Sequence, residues 1–323
     1  MSGIEVLVVG DANPDLLLTG DTVPRFGQVE QLLDGADLLL GGSAAIVACG
    51  LARLGVRTAL AAVVGADQFG RFVLDRLDER GVDTSAVTVS DGMPTGLSVI
   101  LSEPHDRAIL TLPGTIPSLT VDAVRDAVER LAPRHVHVAS YFLQPSLASR
   151  MAELFGWLRA RGVTISLDTN WDPAEAWTGL DEVLPLVSVF LPNAEEALAV
   201  GAAVGAVGAV AGQVGTGSFE DAGARLSALG CRVVVKAGAE GGIAFERGEA
   251  VGRASGLVVD VVDTTGAGDS FDAGYLAALV REVATEDERL RWAAAAGSLS
   301  VRGGGGTAAQ ATEAELAGLF ARS

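Results

Sequence analysis

Positive charge is scarce in this chain: 23 basic residues stand against 41 acidic ones, and a single lysine, Lys236, is found among them. The formal net charge of −18 argues against a nucleic-acid partner, because no broad basic face is offered to phosphates. An anionic small molecule would need a local device instead: a helix N-terminus, a few arginines or a metal ion. Cysteine is equally sparse. Cys49 and Cys231 lie far apart in apolar runs and are expected as buried thiols of a reducing compartment rather than a disulfide or a metal clip. The three histidines, His105, His135 and His137, lack zinc-type spacing. Aromatics make up 5% of a chain that is 49% hydrophobic, so alanine, valine, leucine and glycine must do most of the packing. No leader is expected ahead of the strand-like IEVLVVG. The Ala/Gly/Val stretch LAVGAAVGAVGAVAGQVGTG (198–217) is too short and glycine-rich to span a membrane and is expected to end a helix and continue as a loop. A cytoplasmic protein with no membrane partner is expected.

What the chain does have is repetition of strand and helix. IEVLVVG (4–10), RTALAAVVG (57–65), HVHVAS (135–140), VTISLD (163–168), VSVFLPN (187–193) and CRVVVKAG (231–238) are expected as buried strands. Amphipathic stretches such as 69–81 and 121–131 lie between them. Strand followed by helix, repeated, implies an α/β fold: a central, mostly parallel sheet covered by helices on both faces. Ligands in such folds sit beyond the C-terminal strand ends. Segments 12–40 and 92–114 carry strand-like runs without helices and are expected to form a small β-sheet lid on a single domain spanning 1–323.

Chemistry-bearing residues cluster at the expected strand ends. GDANPDLLL places Asn13 and Asp15 just past the first strand, where amide and carboxylate oxygens can accept from hydroxyls. The pair Gly41 and Gly42 opens GGSAAIVACGLARLG, allowing close backbone approach. LPNAEEA sets Asn193 and Glu196 at a helix start. DTTGAGDSF puts an ionisable group, Asp269, after Gly-Ala-Gly and ahead of an apolar helical stripe formed by Phe271, Tyr275, Leu276 and Leu279. An N-cap would account for Asp269 alone, but not for the ordered set.

That ordered set (GD-x-N-x-D, the Gly-Gly helix start, VGADQFG, NAEE, KAGAEGG and DTTGAGDSF) resembles the PfkB-type carbohydrate kinase family of the ribokinase-like superfamily along nearly the whole chain. The resemblance implies a ribokinase-like fold and transfer of the γ-phosphate of ATP to a hydroxyl of a small sugar. It implies Asp269 as the base, and the amides of Gly266, Ala267 and Gly268 as an anion hole at a helix N-terminus. It assigns Asn13, Asp15, Gly41 and Gly42 to the sugar; Gln144, after HVASYFL, is a further substrate candidate. Asn193, Glu196, Lys236, Gly238 and Gly241 fall to the nucleotide, with Glu196 acting on Mg²⁺ through water. Asp263 and Thr265 match a loop that binds a monovalent cation such as K⁺, with backbone carbonyls from 301–306. A homodimer built through the lids is expected.

Two positions depart from the family pattern. Ile46 stands where an asparagine usually contacts the sugar, so the substrate lacks the matching hydroxyl or presents a more apolar edge. Asp172 stands where an arginine often follows Asp-x-Asn, which removes a cationic partner for an anionic sugar. A nucleoside kinase of the same fold, or an inactive ligand-binding relative, would also fit these changes. A dinucleotide oxidoreductase would not, since the first strand leads into GDANPD rather than Gly-x-Gly-x-x-Gly.

Overall fold

The structure, a computed structural model, describes residues 3–103, 107–206 and 217–320. His105 and the loop expected within 207–216 lie outside these residues. Among the described residues thirteen strands form two sheets: β1 (Val6–Val9), β2 (Asn13–Gly20), β3 (Leu33–Gly41), β4 (Thr58–Gly65), β5 (Val87–Ser90), β6 (Leu97–Ser102), β7 (Arg107–Leu112), β8 (His135–Val138), β9 (Thr164–Leu167), β10 (Val189–Phe190), β11 (Arg232–Lys236), β12 (Gly242–Glu246) and β13 (Glu249–Ala254). The large sheet runs β13-β12-β11-β10-β9-β8-β1-β4-β5. It is parallel from β5 to β11 and antiparallel at β12 and β13.

All six expected strands are present in this sheet. The edge strand β5 and the β12–β13 hairpin were not anticipated. The hairpin turns on Arg247 (φ 52°) and Gly248 (φ 87°), two successive left-handed residues of the kind a tight hairpin needs. Arginine at the first of these positions gives no turn signal in the sequence.

Successive residues of β1 feed opposite faces. Val6 and Val8 enter one core, with the helices Ser43–Arg53, Ala267–Val280 and Glu286–Ser300. Leu7 and Val9 enter the other, with the helices Val121–Leu131, Met151–Arg159, Ala194–Ala206 and Phe219–Ser227. Scarce aromatics are offset by close approach of small residues. A Cβ on Gly274 would lie 2.6 Å from the Trp292 carbonyl oxygen and 2.7 Å from Ala296 Cβ, so the helices Ala267–Val280 and Glu286–Ser300 pack almost backbone to backbone.

The small sheet, in the order β3-β2-β6-β7, comes from the two segments expected to form a lid. VGADQFG serves this junction: Asp67 caps the helix Gln68–Glu79 through the Gly70 amide at 2.8 Å and also accepts from the Thr95 amide at 2.8 Å and the Thr95 hydroxyl at 2.7 Å. In the large sheet β1 has β4 on one side and β8 on the other, so chain progression reverses direction there. Crevices form at such a switch point, beyond the C-terminal strand ends, and Asp11, Ser140 and Asp168 follow β1, β8 and β9 at that edge.

Candidate active site

The helix Ala267–Val280 starts on Gly266, whose φ of 69° is left-handed and which offers no side-chain cap. The first-turn amides therefore have no intrahelical acceptor, although Ala267 turns its own back to the Thr264 carbonyl at 3.2 Å. The Gly266 position has no room for a side chain: a Cβ would come 2.6 Å from Gly306 Cα and 3.1 Å from Ile46 Cγ2. Gly268 is different, since a Cβ there would meet only Lys236, at 3.7 Å or more.

Asp269 is the third residue of this helix rather than its N-cap. Its carboxylate accepts from the Ser43 hydroxyl, at the start of the helix Ser43–Arg53. Burial, then Asp168 and Asp11 nearby, push this acid up to about 7, against the Ser43 hydrogen bond and Lys236. A carboxyl so tuned is a far better proton acceptor near neutral pH than an ordinary aspartate.

Next to it are acids that the sequence patterns did not single out. Asp11 is buried and accepts from the Ser43 amide at 3.2 Å and the Ala44 amide at 3.1 Å, capping that helix from the end of β1. Burial raises its pKa despite these bonds. Asp168 and Asp272 are both buried, and both pair with Lys236 Nζ, at 2.6 and 3.2 Å. Asp11 could have been found from its place between the strand and Asn13. Asp272 carried a signal too, as an acid three residues after Asp269 within an apolar helix.

On the side of the small sheet, Asn13 Nδ2 donates to Asp15 Oδ1 at 3.0 Å and reaches Ser98 Oγ on β6 at 3.5 Å. Asp15 lies directly over Gly41, where a Cβ would be 2.1 Å from its carboxyl carbon. Burial and the charge of Asp11 raise Asp15 to about 7, opposed by Asn13, Ser98 and Arg107. Gly42 (φ 86°) is the N-cap of the helix Ser43–Arg53 and touches the backbone of Asp11. These four residues are thus brought together where β2 and β3 of the small sheet meet the start of the helix Ser43–Arg53. Gln144 is placed differently. It has no exposed surface, and its Nε2 is spent on the Ala139 and Ser140 carbonyls at 2.8 and 3.4 Å. Asp172 is likewise occupied, accepting from the amides of Ala174, Ala176 and Trp177 at 2.7–2.9 Å. Ile46 is buried against Gly266 and Gly306.

On the other side of Gly268 lies a cleft of about 460 Å³, lined by apolar residues including Leu257, Val258, Val261, Phe271, Ala294 and Val301 and by Lys236, Gly238 and Gly241. Gly241 (φ 91°) runs against the Ala254 carbonyl, where a Cβ would fall at 2.1 Å. A second hollow of about 380 Å³ shares Lys236 and Gly238 and adds Asn193 and Phe219. Asn193 Oδ1 accepts from the Glu196 amide and Glu196 Oε2 from the Asn193 amide, both at 2.8 Å. This reciprocal cap is structural, yet Glu196 is buried and raised to about 7 by burial and by Asp168, against Lys236. Asp263 binds the Thr265 amide and hydroxyl at 2.9 and 2.8 Å and the Gly305 amide at 2.7 Å, joining its loop to VRGGGG. Burial opposes its charge, but these donors outweigh that and keep its pKa low.

The model of the pfkB family carbohydrate kinases matches residues 4–313. A 2-dehydro-3-deoxygluconokinase of Bacillus subtilis is 31% identical over 297 residues, 86% of this chain and 85% of its own length. A ribokinase of Haemophilus influenzae is 28% identical over 301 residues, 91% of each chain. Among solved structures, that of Arabidopsis thaliana ribokinase complexed with ribose and ATP superposes with a TM-score of 0.81 at 25% identity, covering 99% of each chain. The fold is ribokinase-like, and with a family match over this span the chain belongs to the pfkB family and is a carbohydrate kinase.

Proposed function

We propose that this kinase moves the γ-phosphate of ATP to a hydroxyl of a small uncharged sugar held by Asn13, Asp15, Gly41 and Gly42, with Asp269 as the base. The observation that carries this reading is the position of Asp269: its raised carboxyl stands in the first turn of an uncapped glycine-led helix, between the polar pocket of Asp15 and the apolar cleft. Asp269 takes the proton of the sugar hydroxyl, whose oxygen attacks the γ-phosphorus. The bond from that phosphorus to the β-γ bridging oxygen breaks, and ADP leaves. The phosphoryl charge meets the amides around Gly268 and the positive end of the helix dipole. The apolar cleft fits a purine face, and Gly238 and Gly241 let backbone approach the nucleotide. Mg²⁺ fits beside the buried Glu196 and Asn193, whose hard oxygen donors would act largely through its waters, and would supply charge neutralisation for the triphosphate.

An uncharged acceptor is favoured because Asp11, Asp15 and Asp269 converge on the pocket and Asp172 is committed to three amides. Turnover screened by ADP release over pentoses, hexoses, keto-sugar acids and nucleosides tests this. Ribose- or fructose-like sugars should lead. A keto-sugar acid turned over best would refute the uncharged class, a nucleoside would move the chain to nucleoside kinases, and no turnover at all would leave an inactive relative.

The Asp263–Thr265 loop, tied to Gly305, is the proposed K⁺ site. Rates in K⁺ should exceed those in a bulky organic cation at equal ionic strength, and equal rates would remove it. The small sheet, which carries Asn13 and Asp15 on β2, is proposed as a lid over the pocket beside Asp269, since Arg107 on β7 already reaches Thr265 Oγ1 at 3.0 Å. The homodimer through this sheet belongs to the same reading.

A further inference from the structure

Beneath the turn 266–268 lies an ion cluster whose place in the fold is hard to explain by stability alone. Lys236 ends β11, Asp168 follows β9, and Asp272 sits one helical turn beyond Asp269. Lys236 is 8% exposed, Asp168 1% and Asp272 0%. The ammonium touches Asp168 at 2.6 Å and Asp272 at 3.2 Å. Burial works against its charge, but Asp168, Asp272 and Glu196 hold it protonated. Two buried carboxyls share one cation, which favours a proton on one of them. Asp272 is the one that burial and Asp168 push well up, and its Oδ1 is free of other partners. Asp168 stays ionised, because Lys236 and the Asn170 amide at 3.1 Å overcome its burial. A buried ionic group of this kind is often no more stabilising than apolar residues of equal volume. Its position is the informative part: Nζ is the atom nearest the space above Gly268 and opens onto both hollows of the nucleotide side.

We propose that Asp168 and Asp272 are positioning residues that pin the Lys236 ammonium behind the anion-hole turn, where it adds a fixed positive charge for the phosphoryl group and balances the acids around Asp269. The inference rests on the reading of Asp269 as the base. The titratable groups facing Asp269 are Asp11 from the end of β1, Asp168 from β9, Lys236 from β11 and Asp272 on its own helix, with Ser43 as its hydroxyl partner. Lys236 favours the ionised base and Asp168 opposes it, so removing each has an opposite effect on the pH at which the base ionises. Asp272, being neutral, acts by geometry alone.

The test is the pH profile of kcat, with nucleotide affinity and thermal melting measured on each folded variant. Lys236→Met should lower kcat at least ~10-fold and move the acid limb up by about one pH unit, while Asp168→Asn should move that limb down. Asp272→Asn, the shape of the protonated acid, should keep kcat within about threefold, and Asp272→Leu should lose it with the lysine's anchor. The double variant Lys236→Met/Asp168→Asn removes both charges together and keeps the test open should Lys236→Met alone fail to fold; its kcat should stay at least ~10-fold low. Asp269→Asn is run alongside. Full turnover in that variant would overturn the functional reading and this inference with it. An inactive Asp269→Asn beside wild-type kcat and unmoved acid limbs in the Lys236 and Asp168 variants would overturn the positioning role alone.

Discussion

At the residue scale the decisive question is whether Asp269 serves its helix as a cap or the reaction as the proposed base. Asp269 is the third residue of its helix and bonds Ser43 from another helix, so its removal threatens chemistry more than folding. Asp269→Asn should leave ATP binding largely intact while kcat falls at least ~10²-fold, the scale of losing a general base; calorimetric nucleotide binding beside steady-state turnover checks both halves. Gly268→Ala is the companion case. A Cβ there meets nothing closer than 3.7 Å, so melting should be little changed while phosphoryl transfer falls ~10-fold or more through crowding of the approaching phosphate. Normal turnover in that variant would place the anion hole elsewhere. Gly266→Ala is no substitute, because the space is closed and φ is 69°.

At the element scale, β8 and β9 carry a polar seam inside an otherwise apolar sheet. His135 Nε2 and His137 Nδ1 both bond Ser166 Oγ, at 2.7 and 2.8 Å, and His135 Nδ1 bonds Thr164 Oγ1 at 2.8 Å. A hydroxyl can donate to one ring and accept from the other, which suits two neutral imidazoles. Burial pushes His135 down to about 3 and His137 to about 4. Between the unfolded value near 6.5 and those folded values, only the unfolded chain takes up the protons, so stability contributed by neutral histidines is lost as pH falls. Asp15, Glu196 and Asp269, raised to about 7, work in the opposite sense over roughly pH 4–7. A comparison at one site separates them: relative to His135→Gln, the wild type should lose about 1.4 kcal/mol per pH unit below ~6. Urea unfolding at several pH values measures this gap, and a gap independent of pH would contradict the buried neutral ring. The same seam shows what the sequence made legible. The short β-branched runs HVHVAS and VTISLD placed both strands, because such runs are read locally. The partners Ser166 and Thr164 depend on which strand lies alongside, and adjacency is not written locally. The site followed the same division: Asp269, Asn13 and Asp15 were readable from contiguous motifs, whereas the Asp168–Lys236–Asp272 cluster joins three separate elements. Gln144 stood at a strand end like the others, but its burial depends on a turn at Ser140 (φ 55°) that no residue there announces.

At the scale of the whole molecule, the small sheet leaves apolar surface that one chain does not cover. Every residue of the edge strand β7 is exposed, with Ile109 at 52%, Leu110 at 59% and Leu112 at 52%, and on the opposite edge strand β3 Leu33 and Leu38 are each 40% exposed. A four-stranded sheet with an open edge and apolar side chains invites pairing. A second copy is the self-complementary solution, since a two-fold axis would set each lid against the other. Closure of the sheet over the pocket beside Asp269 would then be coupled across the pair and would keep water from competing with the sugar hydroxyl for the phosphoryl group. Light scattering should give twice the mass of the 32.9 kDa chain at micromolar concentration. Ile109→Asp combined with Leu112→Asp should halve that mass and leave the large sheet's melting largely unchanged, because both positions lie on the exposed edge. The double variant should also raise futile ATP hydrolysis relative to sugar phosphorylation if lid closure depends on the partner. A wild type that is monomeric at all concentrations would eliminate the dimer, and a dimer that survives both aspartates would place its interface on the body helices instead.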